Sequence, residues 1–96
     1  MHVISEKALR LFWEKHTDAE TALRSWLKVA ERASWKHLAD ARRDFPHADA
    51  VRTYTIFNIK RNEYRLVTAI HYNRKRVYIR YVFTHPEYDR WSAGQK

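Results

Sequence analysis

Residues 53–84, TYTIFNIKRNEYRLVTAIHYNRKRVYIRYVFT, carry the pattern that decides the fold. Polar and apolar side chains alternate along three runs of this stretch, and a period of two is typical of β-strands. Two short segments of Asn, Lys and Arg separate the runs, as tight turns separate antiparallel strands. The runs are TYTIFNI, EYRLVTAIHY and RVYIRYVFT, and the turns are KRN and NRK. The stretch therefore predicts an antiparallel meander.

The same alternation assigns side chains to the two faces of the predicted sheet. In the second run Leu66 and Arg65 fall on opposite faces. One face is suited to packing on helices, and we expect the other to be a concave basic surface. In the third run one face is expected to carry Val77, Ile79, Tyr81 and Phe83, opposite Tyr78, Arg80 and Val82.

Upstream of the meander the hydrophobic period is near 3.6, which predicts helices. HVIS, residues 2–5, fits a short first strand, and Ser5 can cap the helix after it. The segment TDAE predicts a capping box between Thr17 and Glu20 at the start of a second helix. WKHLADARRDF adds a helical turn or two before Pro46. The apolar stripes are Ala8, Leu9, Phe12 and Trp13, then Ala22, Leu23, Trp26, Leu27 and Ala30.

These elements predict an α+β fold with the order β-α-α-β-β-β. The two N-terminal helices need a partner for their apolar stripes, and a small twisted, mainly antiparallel sheet provides one. The chain has 96 residues without repeats or Gly-, Ser- or Pro-rich linkers, so we expect a single domain over residues 1–96. Trp13, Trp26 and Trp35 are expected to contribute to the core between helices and sheet.

The chain is strongly basic, and its charge limits the classes of function. Nineteen Lys and Arg residues stand against eleven Asp and Glu, for a formal net charge of +8. A small folded domain with this charge typically binds a polyanion, most often nucleic acid. The chain has no cysteine, and no apolar stretch approaches the roughly 18 residues of a membrane span. We therefore expect a cytoplasmic protein without disulfides.

Signals for metals and cofactors are absent from the sequence. The histidines lack paired metal-ligand spacing, and no glycine-rich loop is available to bind the phosphates of a nucleotide. We therefore expect no metal ion and no cofactor. Any chemistry would depend on the histidine, arginine, lysine and tyrosine side chains.

Two segments carry a resemblance to a known family. FNIKRNEYRL and YIRYVFTHPEYDRW, together with the element order and the basic sheet, resemble the HigB branch of the RelE superfamily of bacterial type II toxins. The resemblance implies a small ribonuclease that cuts messenger RNA, mostly in the ribosomal A site, and is neutralised by an antitoxin encoded beside it. The chain departs from the family pattern at Arg61, where glycine is common, and this leaves the turn type open.

RNA cleavage without a metal requires attack of a 2′-hydroxyl on its own 3′-phosphate. A base must take the hydroxyl proton, an acid must protonate the leaving 5′-oxygen, and positive charge must stabilise the phosphorane. His85 is the candidate acid or base, because Pro86 restricts it to extended geometry at the rim of the sheet. Tyr88 could stack on a base or orient the phosphate, and Arg65 with Lys60 would supply charge.

Further cations are candidate RNA contacts. Arg61 and Arg80 are lesser candidates beside the predicted site. The hairpin end formed by Arg74, Lys75 and Arg76 is most simply a solvated turn, although it could also bind the backbone of ribosomal RNA. Asp89 is expected to act as a helix cap or salt-bridge partner rather than in catalysis.

The resemblance also implies partners. They are mRNA, the ribosome and a HigA-like helix-turn-helix antitoxin, so that DNA is contacted only indirectly through the antitoxin and no membrane is involved. Two alternatives stay open. One is a non-catalytic RNA- or ribosome-binding module that stacks bases on Tyr54, Tyr72, Tyr78 and Tyr81. The other is a ParE-like toxin that inhibits DNA gyrase.

Overall fold

The computed structural model describes residues 1–95 and contains one five-stranded sheet with helices on both faces. The strands follow the order β1-β5-β4-β3-β2, with β1 parallel to β5 and all other neighbours antiparallel. The strands are β1 His2–Ile4, β2 Asp49–Val51, β3 Tyr54–Ile59, β4 Tyr64–His71 and β5 Arg76–Thr84. The helices are α1 Glu6–Lys15, α2 Glu20–Arg32, α3 Leu38–Asp44 and α4 His85–Ala93.

The α+β class and the meander of β3, β4 and β5 are confirmed, as are the two N-terminal helices packed on the sheet. The predicted order β-α-α-β-β-β is incomplete, because it omits the helices α3 and α4 and the strand β2. This strand is only three residues long and largely exposed at the sheet edge, so it carries no periodic signal. Among residues 1–95, no helix is both long enough and apolar enough to cross a membrane.

The main core lies between the sheet and the layer formed by α1, α2 and α3. Trp13, Trp26 and Trp35 are all buried there, as the sequence predicts. The rings of Trp26 and Trp35 contact Phe57 of β3 at centroid distances of 5.3 and 5.9 Å. Because large aromatic side chains bury the most apolar area, this cluster is what fixes the helices on the sheet.

Both predicted caps in the N-terminal half are wrong. Ser5 precedes α1 in a left-handed conformation and makes no side-chain capping bond. Thr17 begins a short 3-10 turn instead of capping α2, which starts after Ala19 without a side-chain cap. The 3-10 turn directly precedes α2 and provides hydrogen-bond partners for backbone N–H groups at the start of the helix, in place of a side-chain cap. Asp18 is therefore free to contact the sheet.

The predicted face of β5 is also wrong beyond Ile79. Val67 pairs with Tyr81 and Thr68 pairs with Ile79, so Arg80 is the extra residue of a β-bulge. A bulge shifts the alternation by one residue. Val77 and Ile79 therefore lie in the main core, whereas the next aromatic side chains, Tyr81 and Phe83, lie on the opposite face.

Helix α4 covers part of that opposite face, which is therefore not the open basic surface that we expected. The ring of Trp91 lies 5.3 Å from Tyr54 and 5.8 Å from Phe83. Ile56 and Val67, which pair with each other on the sheet, are 2% and 0% exposed outside the main core cluster. The sheet thus has two apolar faces, and its cations are confined to its ends and edges.

Candidate active site

An open groove of about 820 Å³ lies at one end of the sheet. Strands β4 and β5 meet there, with Tyr64 paired to Thr84. The β3–β4 turn, the C-terminal end of α1 and the N-terminal end of α4 form its walls. The groove is lined by His16, Lys60, Arg61, Asn62, Glu63, Tyr64, Thr84, His85 and Pro86.

The β3–β4 turn presents Lys60 and Arg61 to the groove through an uncommon backbone geometry. Both residues have positive φ, 50° and 61°. Such a conformation costs a non-glycine residue about 1–2 kcal/mol. The turn is closed by a hydrogen bond from the Glu63 N–H to the Lys60 carbonyl at 3.2 Å. Arg61 thus adopts the left-handed conformation that glycine would take without strain, and it adds a cation at this point.

His85 is the first residue of α4, and its imidazole is oriented by a carboxylate. Its Nδ1 lies 3.0 Å from Oδ2 of Asp89, one turn along the helix. A proton on Nδ1 would face this carboxylate, and in that tautomer Nε2 keeps its lone pair. The side chain is 46% exposed and lines the groove. Asp89 thus lies within salt-bridge distance of a neighbouring side chain, as predicted.

The expected extended geometry at His85 is wrong, because it is Thr84 that is extended. Thr84 caps α4 in a capping box, accepting from the Glu87 N–H at 3.4 Å and donating its own N–H to Glu87 Oε1 at 2.8 Å. The His85 N–H donates to the Glu63 carbonyl at 3.1 Å. These bonds outweigh the preference of a residue before proline for extended backbone.

Asp18 ties the groove to the helical layer. Its carboxylate pairs with Lys60 Nζ at 2.7 Å and accepts from the Tyr64 hydroxyl at 2.6 Å. The Lys60 hydrogen bond holds the pKa of Asp18 below its usual value, and the reverse effect raises the pKa of Lys60. The bond to Asp18 raises the pKa of Tyr64 to about 12. Lys60 is therefore a fixed cation, and Tyr64 keeps its proton.

Arg65 and Tyr88 lie together beside the groove, on the face that α4 covers. Arg65 Nη1 donates to the carbonyls of Asn62 at 3.1 Å and Tyr64 at 3.3 Å. Its guanidinium carbon lies 5.7 Å from the centroid of the Tyr88 ring. Burial raises the pKa of the Tyr88 hydroxyl, which is therefore a proton donor at neutral pH. Arg65 lies opposite the core residue Leu66, as predicted.

The remaining candidate cations lie away from the groove. Arg80 is at the bulge, with its guanidinium carbon 5.4 Å from the Tyr78 ring centroid. The hairpin end, Arg74 to Arg76, is at the far end of β4, seven residues or about 23 Å along the strand from Tyr64. The groove therefore brings together His85, Lys60 and Arg61, with Arg65 and Tyr88 adjacent. The roles of all these residues stay predictions.

Sequence reasoning missed three residues of the groove region: His16, Asp18 and Tyr64. Asp18 is 42 residues from Lys60 and 46 from Tyr64, so no local pattern signals their contact. His16 follows the last residue of α1, where a single histidine has no distinctive spacing. Within residues 1–95 there is no cluster of three or more potential metal-ligating side chains.

The α+β fold agrees with that of a small RelE-like toxin, and the family comparison shows this class. The family model described as HigB_toxin, RelE-like toxic component of a toxin-antitoxin system, matches residues 19–91. The chain thus belongs to the HigB toxin family.

Curated relatives agree with this membership. The mRNA interferase toxin HigB of Escherichia coli K12 is 31% identical over 96 residues, covering 97% of this chain and 92% of the relative. The mRNA interferase HigB of Shigella flexneri shows the same identity and coverage. The mRNA interferase HigB of Escherichia coli O6:H1, strain CFT073, is 24% identical over 93 residues, covering 94% and 90%. The resemblance of the sequence to this family is confirmed.

Proposed function

We propose that this chain is the toxin of a type II toxin-antitoxin pair and acts as an mRNA interferase, an endoribonuclease that inhibits translation by cutting messenger RNA. The observation that carries the proposal is the imidazole of His85, oriented by Asp89 at 3.0 Å and open to the same groove as Lys60 and Arg61. The names of the relatives, which are called mRNA interferases, support it.

The proposed reaction needs no metal ion. Nε2 of His85 accepts the proton of a 2′-hydroxyl, whose oxygen then attacks the adjacent 3′-phosphorus. Lys60 offers two further N–H donors besides the one directed at Asp18, and Arg61 and Arg65 add fixed charge near the phosphorane oxygens. Tyr88, held beside Arg65, stacks on a base or donates to the phosphate.

The proposal extends to the partners. The RNA is messenger RNA on the ribosome, and the exposed cations Arg74, Lys75 and Arg76 bind RNA backbone there. Arg80 lies between this end and the groove and adds a phosphate contact on the way. The inhibitor is a HigA-like helix-turn-helix antitoxin, which links the toxin to DNA only indirectly.

The experiment is 5′-end mapping of mRNA after incubation with translating ribosomes. Wild type is compared with His85→Gln and with His71→Gln, a matched exposed histidine at the other end of β4. We expect new cuts with wild type and His71→Gln that disappear with His85→Gln. Blocked translation with intact mRNA would favour a non-catalytic RNA-binding module, and loss of supercoiling in a gyrase assay would favour a ParE-like toxin.

A further inference from the structure

A second histidine, His16, lines the same groove as His85 but comes from the opposite end of the sequence. It follows α1, whereas His85 begins α4, so the two residues belong to different walls of the groove. The charge of His16 also contributes to holding the pKa of Glu87 below its usual value, after the larger effect of the Thr84 hydrogen bonds. His16 is therefore close to the first turn of α4.

The ring of His16 is held by packing and not by hydrogen bonds. It stacks on Phe12 at 4.4 Å between centroids with planes 22° apart, and it lies 5.6 Å from the ring of Tyr64. Within residues 1–95, no protein group forms a hydrogen bond or salt bridge with its imidazole nitrogens. The ring is thus held by packing, and no group among residues 1–95 competes with a ligand for hydrogen bonds to its nitrogens.

A purely packing role for His16 would not require charged side chains around its ring. Its surroundings instead include the cations expected to hold a phosphate and a second histidine already paired with a carboxylate. The titratable and charged groups that face the groove or approach its rim are Lys60, Arg61 and Glu63 on the turn, Tyr64 on β4, His85 and Glu87 on α4, and Lys15 and Asp18 beside His16.

We propose that His16 is the general acid of the reaction, paired with His85 as the general base. This inference rests on the proposed function and divides its two proton transfers between two named side chains. The division follows from their partners: Asp89, 3.0 Å from Nδ1 of His85, stabilises the imidazolium that forms when Nε2 accepts a proton, whereas the ring of His16 stacks on Phe12.

The atoms of the step balance without a co-reactant. The 2′-oxygen forms a bond to phosphorus as its proton passes to Nε2 of His85. The bond from phosphorus to the 5′-oxygen breaks, and that oxygen takes a proton from the His16 imidazolium. The products are a 2′,3′-cyclic phosphate and a 5′-hydroxyl, and exchange with water restores both histidines.

The test uses two synthetic RNAs programmed into ribosomes, one of ordinary structure and one with sulfur in place of the leaving 5′-oxygen. A thiolate leaves without protonation, so the sulfur substrate does not need a general acid. His16→Phe keeps an aromatic ring against Phe12 and Tyr64 but cannot donate a proton. His71→Gln is the matched control, and circular dichroism verifies that each variant is folded.

We expect His16→Phe to cut the ordinary RNA about 10²-fold more slowly than wild type, or slower, and the sulfur substrate at nearly the wild-type rate. A plot of its cutting rate against pH should lose the decline at alkaline pH, because that decline reports loss of the proton from the general acid. His85→Gln should stay slow on both substrates. Wild-type rates for His16→Phe on ordinary RNA, or failure of sulfur to restore its rate, would overturn the inference alone. Absence of cutting by wild type would overturn the proposed function as well.

Discussion

The two ends of the β4–β5 hairpin are both rich in cations, but they differ in the partners that those cations have. At the groove end Lys60 is paired with Asp18 at 2.7 Å, and Arg65 donates to two backbone carbonyls. At the other end Arg74, Lys75 and Arg76 are exposed and, within residues 1–95, have no carboxylate partner. Under the proposed function, we expect positioned charge, and not density of charge, to distinguish a site for chemistry from a surface for binding.

The largest expected difference between the two ends concerns their histidines. His85→Gln removes the oriented base and should lower the rate of mRNA cutting by about 10²- to 10⁴-fold. His71→Gln, at the far end of β4, should leave the rate unchanged. Rates are measured from the appearance of cut 5′ ends at saturating RNA. Similar losses in both variants would remove the distinction between the two ends.

The lysines provide the next comparison. Lys60→Met should lower kcat by about 10²-fold, because a donor aimed at the developing phosphorane charge is lost. Lys75→Met should instead raise KM and leave kcat nearly as in wild type, since an exposed lysine contributes binding alone. Steady-state cutting over a range of RNA concentrations separates the two parameters. A KM effect at Lys60 with unchanged kcat would make the groove a binding surface like the hairpin end.

Acid should lower the free energy of unfolding through protonation of Asp18 at the groove end. Its pKa in the folded chain is lowered below the ordinary 3.8, so its contribution to the free energy of unfolding is complete above that pH. The contribution is lost as pH falls through the lowered value. Urea unfolding at pH 7, 5 and 3 should therefore show a smaller acid-induced loss in Asp18→Asn than in wild type. Parallel losses in the two proteins would show that the Asp18 contacts add no stability.

Alkaline pH should also lower the free energy of unfolding, through ionisation of Tyr64, which donates a hydrogen bond to Asp18. Its folded pKa of about 12 exceeds the ordinary 10.0, so its contribution is present below pH 10 and is lost as pH rises toward 12. Tyr64→Phe, which cannot ionise, should lose less stability over this interval. Urea midpoints at pH 8, 10 and 11.5 measure the effect. Equal slopes would mean that the Tyr64 hydroxyl is not held by Asp18 in solution.

The smallest expected effect belongs to the hairpin end. Arg76→Gln should weaken RNA binding modestly and lower the slope of log affinity against log salt by about 0.7, the value for one lost contact with single-stranded RNA. Fluorescence anisotropy at several salt concentrations provides the slope. An unchanged slope would make the hairpin end plain solvated surface.

The local sequence pattern predicted much of the fold. It also predicted those residues of the candidate site that lie close together in the sequence. Alternation identified β3, β4 and β5, and the segment THPEYD placed His85, Tyr88 and Asp89 near one another. The bulge at Arg80 was not predictable, because one extra residue leaves the alternating pattern intact on both sides of it.

The other half of the site depends on long-range contacts. Asp18 reaches Lys60 and Tyr64 only because α1 and α2 pack over the end of the sheet, and the sequence around Asp18 fitted a capping box equally well. His16 shares the groove for the same reason. Periodicity identifies such helices, but it does not say which polar side chain faces which strand end.

The most direct test of the account is the chemistry of the cut ends. Messenger RNA cut by the wild-type protein on ribosomes should carry a 2′,3′-cyclic phosphate and a 5′-hydroxyl, and a 2′-deoxy substitution at the cleaved nucleotide should abolish cutting. Cutting that continues on the deoxy substrate, or products with 5′-phosphate ends, would contradict attack by the 2′-hydroxyl in the groove of His85.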